Sequence, residues 1–375
     1  MFWPLALAFL AQSVSFERVS IDSSEQQANW ISSRSAISSD GRYVVFESIA
    51  TNLVANDTNN YFDVFVRDRT LGTTERVSLT SSGGEMAGSG VNFSPYLGIS
   101  ANGQSVIFVS PASNLVSGDS NLWDDVFLRR RDTSTTSCVT VTPSGAPGNL
   151  GGGYCSISDN GRYVAFYSSS TDLTSEAQAG IFVRDLDLGT TRFVSSGGPP
   201  WMSPGGRYVS FVYFEVGAPA DIYRWDMRTG NKVLVSIAAD GSGSNGDSFD
   251  NCISADGRYV AFSSRATNLV AGDAQDTLWS VFVRDLQAGT TVKADAGAAQ
   301  YGQPRISPSG RYVSWGGAGL WVRDLQAGSP VQIADGLLPG TFTADAALLS
   351  LMSDDDRLVV GDTNDARDVF VWIKP

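Results

Sequence analysis

The 375-residue chain contains no histidine. That absence removes Ser-His-Asp and Cys-His catalysis, histidine general bases, and histidine-ligated zinc, copper or iron. Cysteine is nearly as scarce. Cys138, Cys155 and Cys252 lack the paired spacing of a zinc site and are too few for a disulfide framework. They read as small buried hydrophobes, with one disulfide among them left open, and they fix no compartment. Positive charge is short as well: 26 Lys and Arg against 39 Asp and Glu give a formal net charge of −13. No basic stripe appears, so binding to a nucleic-acid backbone is not expected. Sustained helical periodicity and a nucleotide-binding glycine loop are absent, and no apolar run is long enough to span a membrane.

What the chain does have is one phrase, returning seven times. The copies are SDGRYVVF from Ser39, ANGQSVIF from Ala101, DNGRYVAF from Asp159 and PGGRYVSF from Pro204. ADGRYVAF from Ala255, PSGRYVSW from Pro308 and a worn ADAALLSL from Ala344 complete the series. A repeat of this period means units that bury their apolar faces only against their neighbours.

Within the first unit, Ile37-Ser38 ends a short apolar segment and Ser39-Asp40-Gly41 supplies a tight turn. Arg42–Ser48 reads as a strand apolar on both faces, so its sheet must be covered on both sides. Asp63–Asp68 makes a third strand and Thr73–Ser78 a fourth. Later units repeat the plan, with third strands at Asp125–Arg130, Ile181–Asp185, Asp221–Asp226, Val281–Asp285 and Leu320–Asp324. Fourth strands follow at Thr136–Val141, Thr191–Ser195, Lys232–Ser236, Thr290–Lys293 and Pro330–Ile333. Four antiparallel strands repeated in this way make the blade of a β-propeller. The last unit has three strands, at Thr341–Thr343, Leu348–Leu351 and Asp368–Trp372, while the missing fourth is present as Phe16–Ser20, a copy of Glu75–Ser78. The fold class is therefore all-β: a seven-bladed propeller over residues 14–375, closed by the N-terminal strand. Residues 1–13 resemble the tail of a secretory signal peptide, short and without Lys or Arg before the apolar run; the alternative is an apolar tail with no address.

The DGRYVAF phrase, the ATNLV that follows it at Ala50–Val54 and Ala266–Val270, and the DVFVRD strand resemble the TolB-type propeller repeat. That repeat belongs to bacterial cell-envelope and secreted proteins and is a relative of the WD-repeat propellers. The resemblance spans Ser15–Pro375 and implies fold more specifically than function. In TolB the propeller is periplasmic and serves as a partner-binding platform. Related propeller peptidases need an α/β-hydrolase domain, for which this sequence has no room, and related pectate-type lyases need metal-binding histidines.

Candidate site residues fall in two groups. Three residues before the end of each inner strand stand Arg34, Tyr96, Tyr154, Asp250 and Gln303, with Pro199 and Pro339 in the other two blades. These positions differ between blades and should approach the mouth of the central channel, with Trp201 and Arg305 further in. Mixed aromatic and polar groups round a funnel suit a peptide or a sugar, and channel packing by side chains and water is the plain alternative. The second group is a loop pattern: Asp57, Asn59 and Asp63; Asp119, Asn121 and Asp125; Asp362, Asn364 and Asp368. Asp273 begins an imperfect version broken by Gln275 and Ser280. Alternating oxygen side chains collect calcium, and Asx turns select the same residues. The recurrent Arg67-Asp68, Arg184-Asp185, Arg284-Asp285 and Arg323-Asp324 pairs obey the repeat, which argues for a structural duty.

The expectation is a non-catalytic, exported propeller, periplasmic or secreted, that binds a protein or peptide across its funnel face. Calcium is the one candidate cofactor. The alternatives are a carboxylate-dependent carbohydrate-active enzyme, with Asp250 the best-placed acid, and a purely structural envelope module.

Overall fold

The computed structural model describes residues 15–87, 97–238, 240–273, 278–295, 302–335 and 338–375. The signal-like residues 1–13, Tyr96 and Gln275 lie outside them. Among the described residues every regular element is a strand, and the strands form seven four-stranded antiparallel sheets. Blade 1 runs inner to outer through Ser32–Ile37, Tyr43–Ser48, Asp63–Asp68 and Thr73–Arg76. Blades 2 to 6 follow in sequence over residues 98–138, 152–195, 200–234, 248–293 and 305–334, and blade 7 takes Leu338–Phe342, Leu348–Ser353 and Asp368–Ile373 from the C-terminal end. Its outer strand is Ser15–Arg18, with Phe16 opposite Trp372 and Arg18 opposite Phe370. The ring is thereby closed by the two ends of the chain. No helix among the described residues is long and apolar enough to cross a membrane.

Several strand ends differ from the sequence reading. The outer strand of blade 1 stops at Arg76 because Ser78 turns its hydroxyl to the Val64 amide, at 2.9 Å, and to Asp63 Oδ1, at 2.5 Å. Blade 6 has a longer outer strand than expected, Ala327–Ala334. The inner strand of blade 2 is only Gly98–Ile99.

Second and third strands are buried on both faces, as their composition demands: all of Tyr43–Ser48 and Asp63–Asp68 are covered. Within a blade the phenylalanines of these two strands stack, Phe46 on Phe65 at 5.8 Å and Phe262 on Phe282 at 5.9 Å between ring centroids. Burying such rings is the main source of stability in the blade.

The repeated phrase explains how blades join. The serine just before it and its acid close the turn: Ser38 Oγ donates to Asp40 Oδ1 at 2.5 Å and accepts from the Tyr43 amide at 2.9 Å. Its glycine has positive φ, and it also rests on the tyrosine of the preceding blade. A Cβ on Gly257 would lie 2.2 Å from the Tyr208 ring, and one on Gly310 would lie 2.1 Å from Tyr259. Gly103 on Tyr43 and Gly206 on Tyr163 repeat the contact, and in the closing blade Leu348 takes the tyrosine's place beneath Gly41. Its arginine covers the same tyrosine, Arg42 standing 4.8 Å from the Tyr43 ring centre, and forks onto Asp68 with 2.7 Å at the closest approach. Arg162–Asp185, Arg207–Asp226, Arg258–Asp285 and Arg311–Asp324 repeat that pair. Asp68 also accepts the amides of Thr70 and Leu71, so the recurrent Arg-Asp motif locks the third strand to its own turn. Exposed ion pairs of this kind contribute orientation more than stability.

Replacing Gly257 by Ala should therefore cost about 3 kcal/mol or more, combining the left-handed backbone with a ring clash. Gly230→Ala, also at positive φ but with open space around it, should cost only about 1–2 kcal/mol. Denaturant unfolding of both variants checks the difference, and equal costs would refute the interlock.

Candidate functional site

Arg34, Tyr154 and Asp250 occupy one position in blades 1, 3 and 5, and each adopts positive φ: 39°, 49° and 49°. The strand register skips at each of them, between Ser33 and Ser35, Gly153 and Ser156, and Phe249 and Cys252. Blade 7 skips just beyond the equivalent residue, between Pro339 and Phe342. A bulge breaks the alternation of a strand and re-aims a side chain, and left-handed non-glycine residues concentrate at functional positions. The variable residues of the sequence reading are thus set on a repeated backbone irregularity.

The ends of the inner strands converge on the channel mouth. Arg34, Trp201, Gln303 and Arg305 line one cavity with Leu338, Pro339 and Met352. Its volume is about 30 Å³, room for a water or two rather than a sugar ring. The reason is that Trp201 and Arg305 fill the channel. The Arg305 guanidinium lies 4.5 Å from the Trp201 ring centre and donates to the Pro304 carbonyl at 3.0 Å. Below this plug a second cavity of about 80 Å³ is lined by Ile37, Ile99, Cys155, Ile157 and Trp201. Asp250 is half-buried; burial raises its pKa and Arg305 partly counters that rise. Tyr154 stands at the rim with its ring edge-on to Tyr167 at 6.3 Å. All three cysteines are free, Cys155 and Cys252 buried and Cys138 half-buried.

One site residue escaped the sequence reading. Glu47 follows the repeated phrase of blade 1, where the other blades carry Val109, Tyr167, Val212, Ser263, Gly316 and Met352. It is buried, its carboxylate lies 3.8 Å from Arg34 Nε, and burial outweighs that charge to push its pKa up to about 8. The signal was available: an acid in a register that is otherwise uncharged.

The rim was missed too. Loops joining second to third strands, and outer strands to the next inner strand, lie on one face by the up-and-down order of each blade. On this face Trp30, Trp123 and Phe214 are 58%, 57% and 54% exposed, with Tyr61, Leu122 and Tyr154 also open. Phe214, Phe249 and Trp279 continue inward as a run of rings 6.1 and 5.6 Å apart. A ring of exposed aromatic groups on one face marks an interaction surface.

The Asp-Asx-Asp loops sit on the same face. In blade 1 the Asn59 amide nitrogen donates to Asp63 at 3.0 Å, and its carbonyl accepts the Tyr61 amide at 2.9 Å. Arg76 stands between the two acids, 3.0 Å from Asp57 and 3.3 Å from Asp63. Blade 7 places Arg18 and the Gln27 amide against Asp362 and Asp368, with Asn364 donating to Asp368 at 3.3 Å. Blade 2 repeats the Asn121–Asp125 bond at 3.0 Å without an arginine. Among the described residues no group of three His, Cys, Asp or Glu side chains converges on a metal position.

Comparison with solved structures finds the same architecture. An oligogalacturonate lyase solved with manganese shares a TM-score of 0.60 at 12% identity, with 96% of each chain covered. The β-propeller domain of the Trilobed protease from Pyrococcus furiosus matches with a TM-score of 0.56 at 12% identity, over 92% of this chain and 95% of that one. That domain has an open velcro topology, whereas here the N-terminal strand closes the ring. TolB from Acinetobacter baumannii matches at 17% identity and a TM-score of 0.43; the match covers 84% of this chain but only 60% of that one. TolB proteins thus stand among the structural neighbours, and what the chain shares with the lyase and the protease domain is the propeller fold. No protein-family model and no curated protein matches the sequence.

Glu47 gives the site a pH signature. A carboxyl whose pKa is raised on folding contributes stability below its ordinary value and loses it as pH rises through the folded value. Wild type and Glu47→Gln should therefore unfold alike near pH 4, and the variant should become progressively the more stable of the two as pH rises from 4.5 to about 8, the difference levelling off above that. Melting curves across that range check the sign; a pH-independent difference would show that Glu47 is ionised throughout.

Proposed function

We propose that this propeller is a binding protein that holds a peptide or protein segment across the face bearing the channel mouth. The observation that carries the reading is the combination of an exposed aromatic rim with a plugged, shallow mouth. A ligand bound there lies across several blades and touches Trp30, Trp123, Tyr154 and Phe214, rather than entering the channel. Aromatic side chains at a rim supply large contact area at low entropic cost. Arg34 and Arg305 give the centre of the face two guanidiniums in a chain of net charge −13, which suits an acidic side chain or a terminal carboxylate. Export to the periplasm or the cell surface belongs to the same reading and rests on the apolar residues 1–13 and the TolB-like repeat.

A second reading has one observation in its favour. Glycoside hydrolysis needs a carboxyl that holds a proton near neutral pH, and Glu47, pushed up to about 8, is one. The cavity of about 30 Å³ that the described residues form beside Arg34 weighs against it, being smaller than a sugar ring.

Peptide-display selection on the immobilised protein separates the readings. Wild type should enrich related sequences, and Trp30→Ser combined with Trp123→Ser should lose at least tenfold in affinity for them while unfolding at nearly the same temperature. Absence of enrichment, together with glycoside turnover abolished by Glu47→Gln, would replace the binding reading with the enzymatic one.

A further inference from the structure

Three loops share the same acid pair, yet one differs in what faces it. In blade 1 the pair Asp57 and Asp63 is met by Arg76, and in blade 7 the pair Asp362 and Asp368 is met by Arg18 at 3.7 and 3.8 Å. Both arginines come from the outer strand, at one register position. Blade 5, which keeps a single acid of the pattern, supplies Lys293 there, 2.9 Å from Asp273. In blade 2 that position is Cys138, which stands opposite Phe127 as Arg76 stands opposite Phe65. The side chain is short and engaged with Thr140 at 3.2 Å, and burial with the nearby acids pushes its thiol up to about 12. It remains neutral and brings no positive charge.

The blade 2 acids are buried all the same. Asp125 is fully covered and accepts hydrogen bonds from Asn121 and Thr140. Asp119 is 7% exposed, and neither of its carboxylate oxygens has a hydrogen-bond partner. The Asn121 amide lies near enough to favour its charged form, but desolvation outweighs that help. The two carboxyls also sense each other, since the charge on Asp119 raises the pKa of Asp125. A buried carboxylate without a partner is among the costlier arrangements in a protein, and both sister blades with the pair avoid it by placing a cation between the acids.

We propose that Asp119 and Asp125 form a binding site for a hard divalent cation, calcium, which takes the place filled by Arg76 and Arg18 in the sister blades. The donors are all oxygen, which suits calcium, and water and backbone carbonyls complete its flexible coordination. With only two carboxylates the affinity belongs in the millimolar range of extracellular calcium modules. The loop between these acids carries Leu122 and Trp123 on the exposed rim, so the ion fixes the part of the face that presents them. The site is independent of the ligand-binding reading of that face, because its test reads the ion alone.

Thermal unfolding with CaCl2, against KCl at equal ionic strength, tests it. Wild type should gain about 2 °C at about 10 mM CaCl2 and nothing specific from KCl. Asp119→Asn should abolish the response. Cys138→Arg, which writes the sister-blade residue into blade 2, should raise the melting temperature without calcium and remove the response as well. Calorimetric titration of folded wild type with CaCl2 gives a second reading should either variant fail to fold. No response in wild type, an equal response to KCl, or a response that survives both substitutions would overturn the proposal.

Discussion

Four of the seven blades rest a glycine on the tyrosine of the preceding blade, Gly161 rests on Ser105 and Gly41 on Leu348 in the same place, and the rest of the molecule depends on these close joints. A sheet buried on both faces has no stable existence alone, so its neighbour must approach within van der Waals distance along the whole length. The Gly257–Tyr208 and Gly310–Tyr259 approaches leave no space for a Cβ. Arginine closes the tyrosine from the solvent side and is itself held by the aspartate that ends the third strand. One eight-residue phrase therefore encodes a turn, a strand and the joint to the adjoining blade.

The joint divides the labour between the two faces of the ring. The face of the Asp-Gly turns is committed to holding blades together, and its residues obey the repeat. The other face carries the longer loops, tied between blades by backbone bonds such as Ser32 to Arg367 and Ser248 to Ala220, and there the blades diverge: Arg34, Tyr154, Asp250 and Gln303 at one register position, Trp30 and Trp123 on the rim, and Glu47 beneath. Stability is supplied by what repeats, and chemistry by what departs from the repeat. The same division explains why residues as unlike as Arg76, Cys138, Lys293 and Arg18 stand at one register position behind these loops.

The ring was legible because its signals are periodic. Seven copies of one phrase, a strand apolar on both faces, and an ERVS segment displaced to the N-terminus were enough to set blade number and closure, and Phe16 does lie opposite Trp372. Strand ends were less legible, since Ser78 leaves the ladder through a side-chain hydrogen bond that strand propensity does not register. At the mouth, Arg34, Trp201, Gln303, Arg305 and Pro339, all singled out from the sequence, meet round one cavity. That Trp201 and Arg305 would stack and close the channel was not foreseen, because that contact joins blades 4 and 6 across the inner strand of blade 5. Glu47 was passed over for a similar reason: a single acid among apolar residues looks like strand composition until the fold buries it beside Arg34. In the Asp-Asx-Asp loops the pattern was visible, while its occupant is set by an outer-strand residue some 20 positions away in blades 1 and 2.

The closing joint offers the most direct test, because there a leucine stands in the tyrosine's place and the two ends of the chain must meet. Leu348 of blade 7 sits 2.7 Å from where a Cβ on Gly41 of blade 1 would lie. A double-mutant cycle of Gly41→Ala and Leu348→Ala, read by denaturant unfolding, isolates that contact. The expected result is a coupling of about 1 kcal/mol or more, with Leu348→Ala relieving part of the cost of Gly41→Ala. Strict additivity of the two changes would contradict a ring held by glycine-to-side-chain joints.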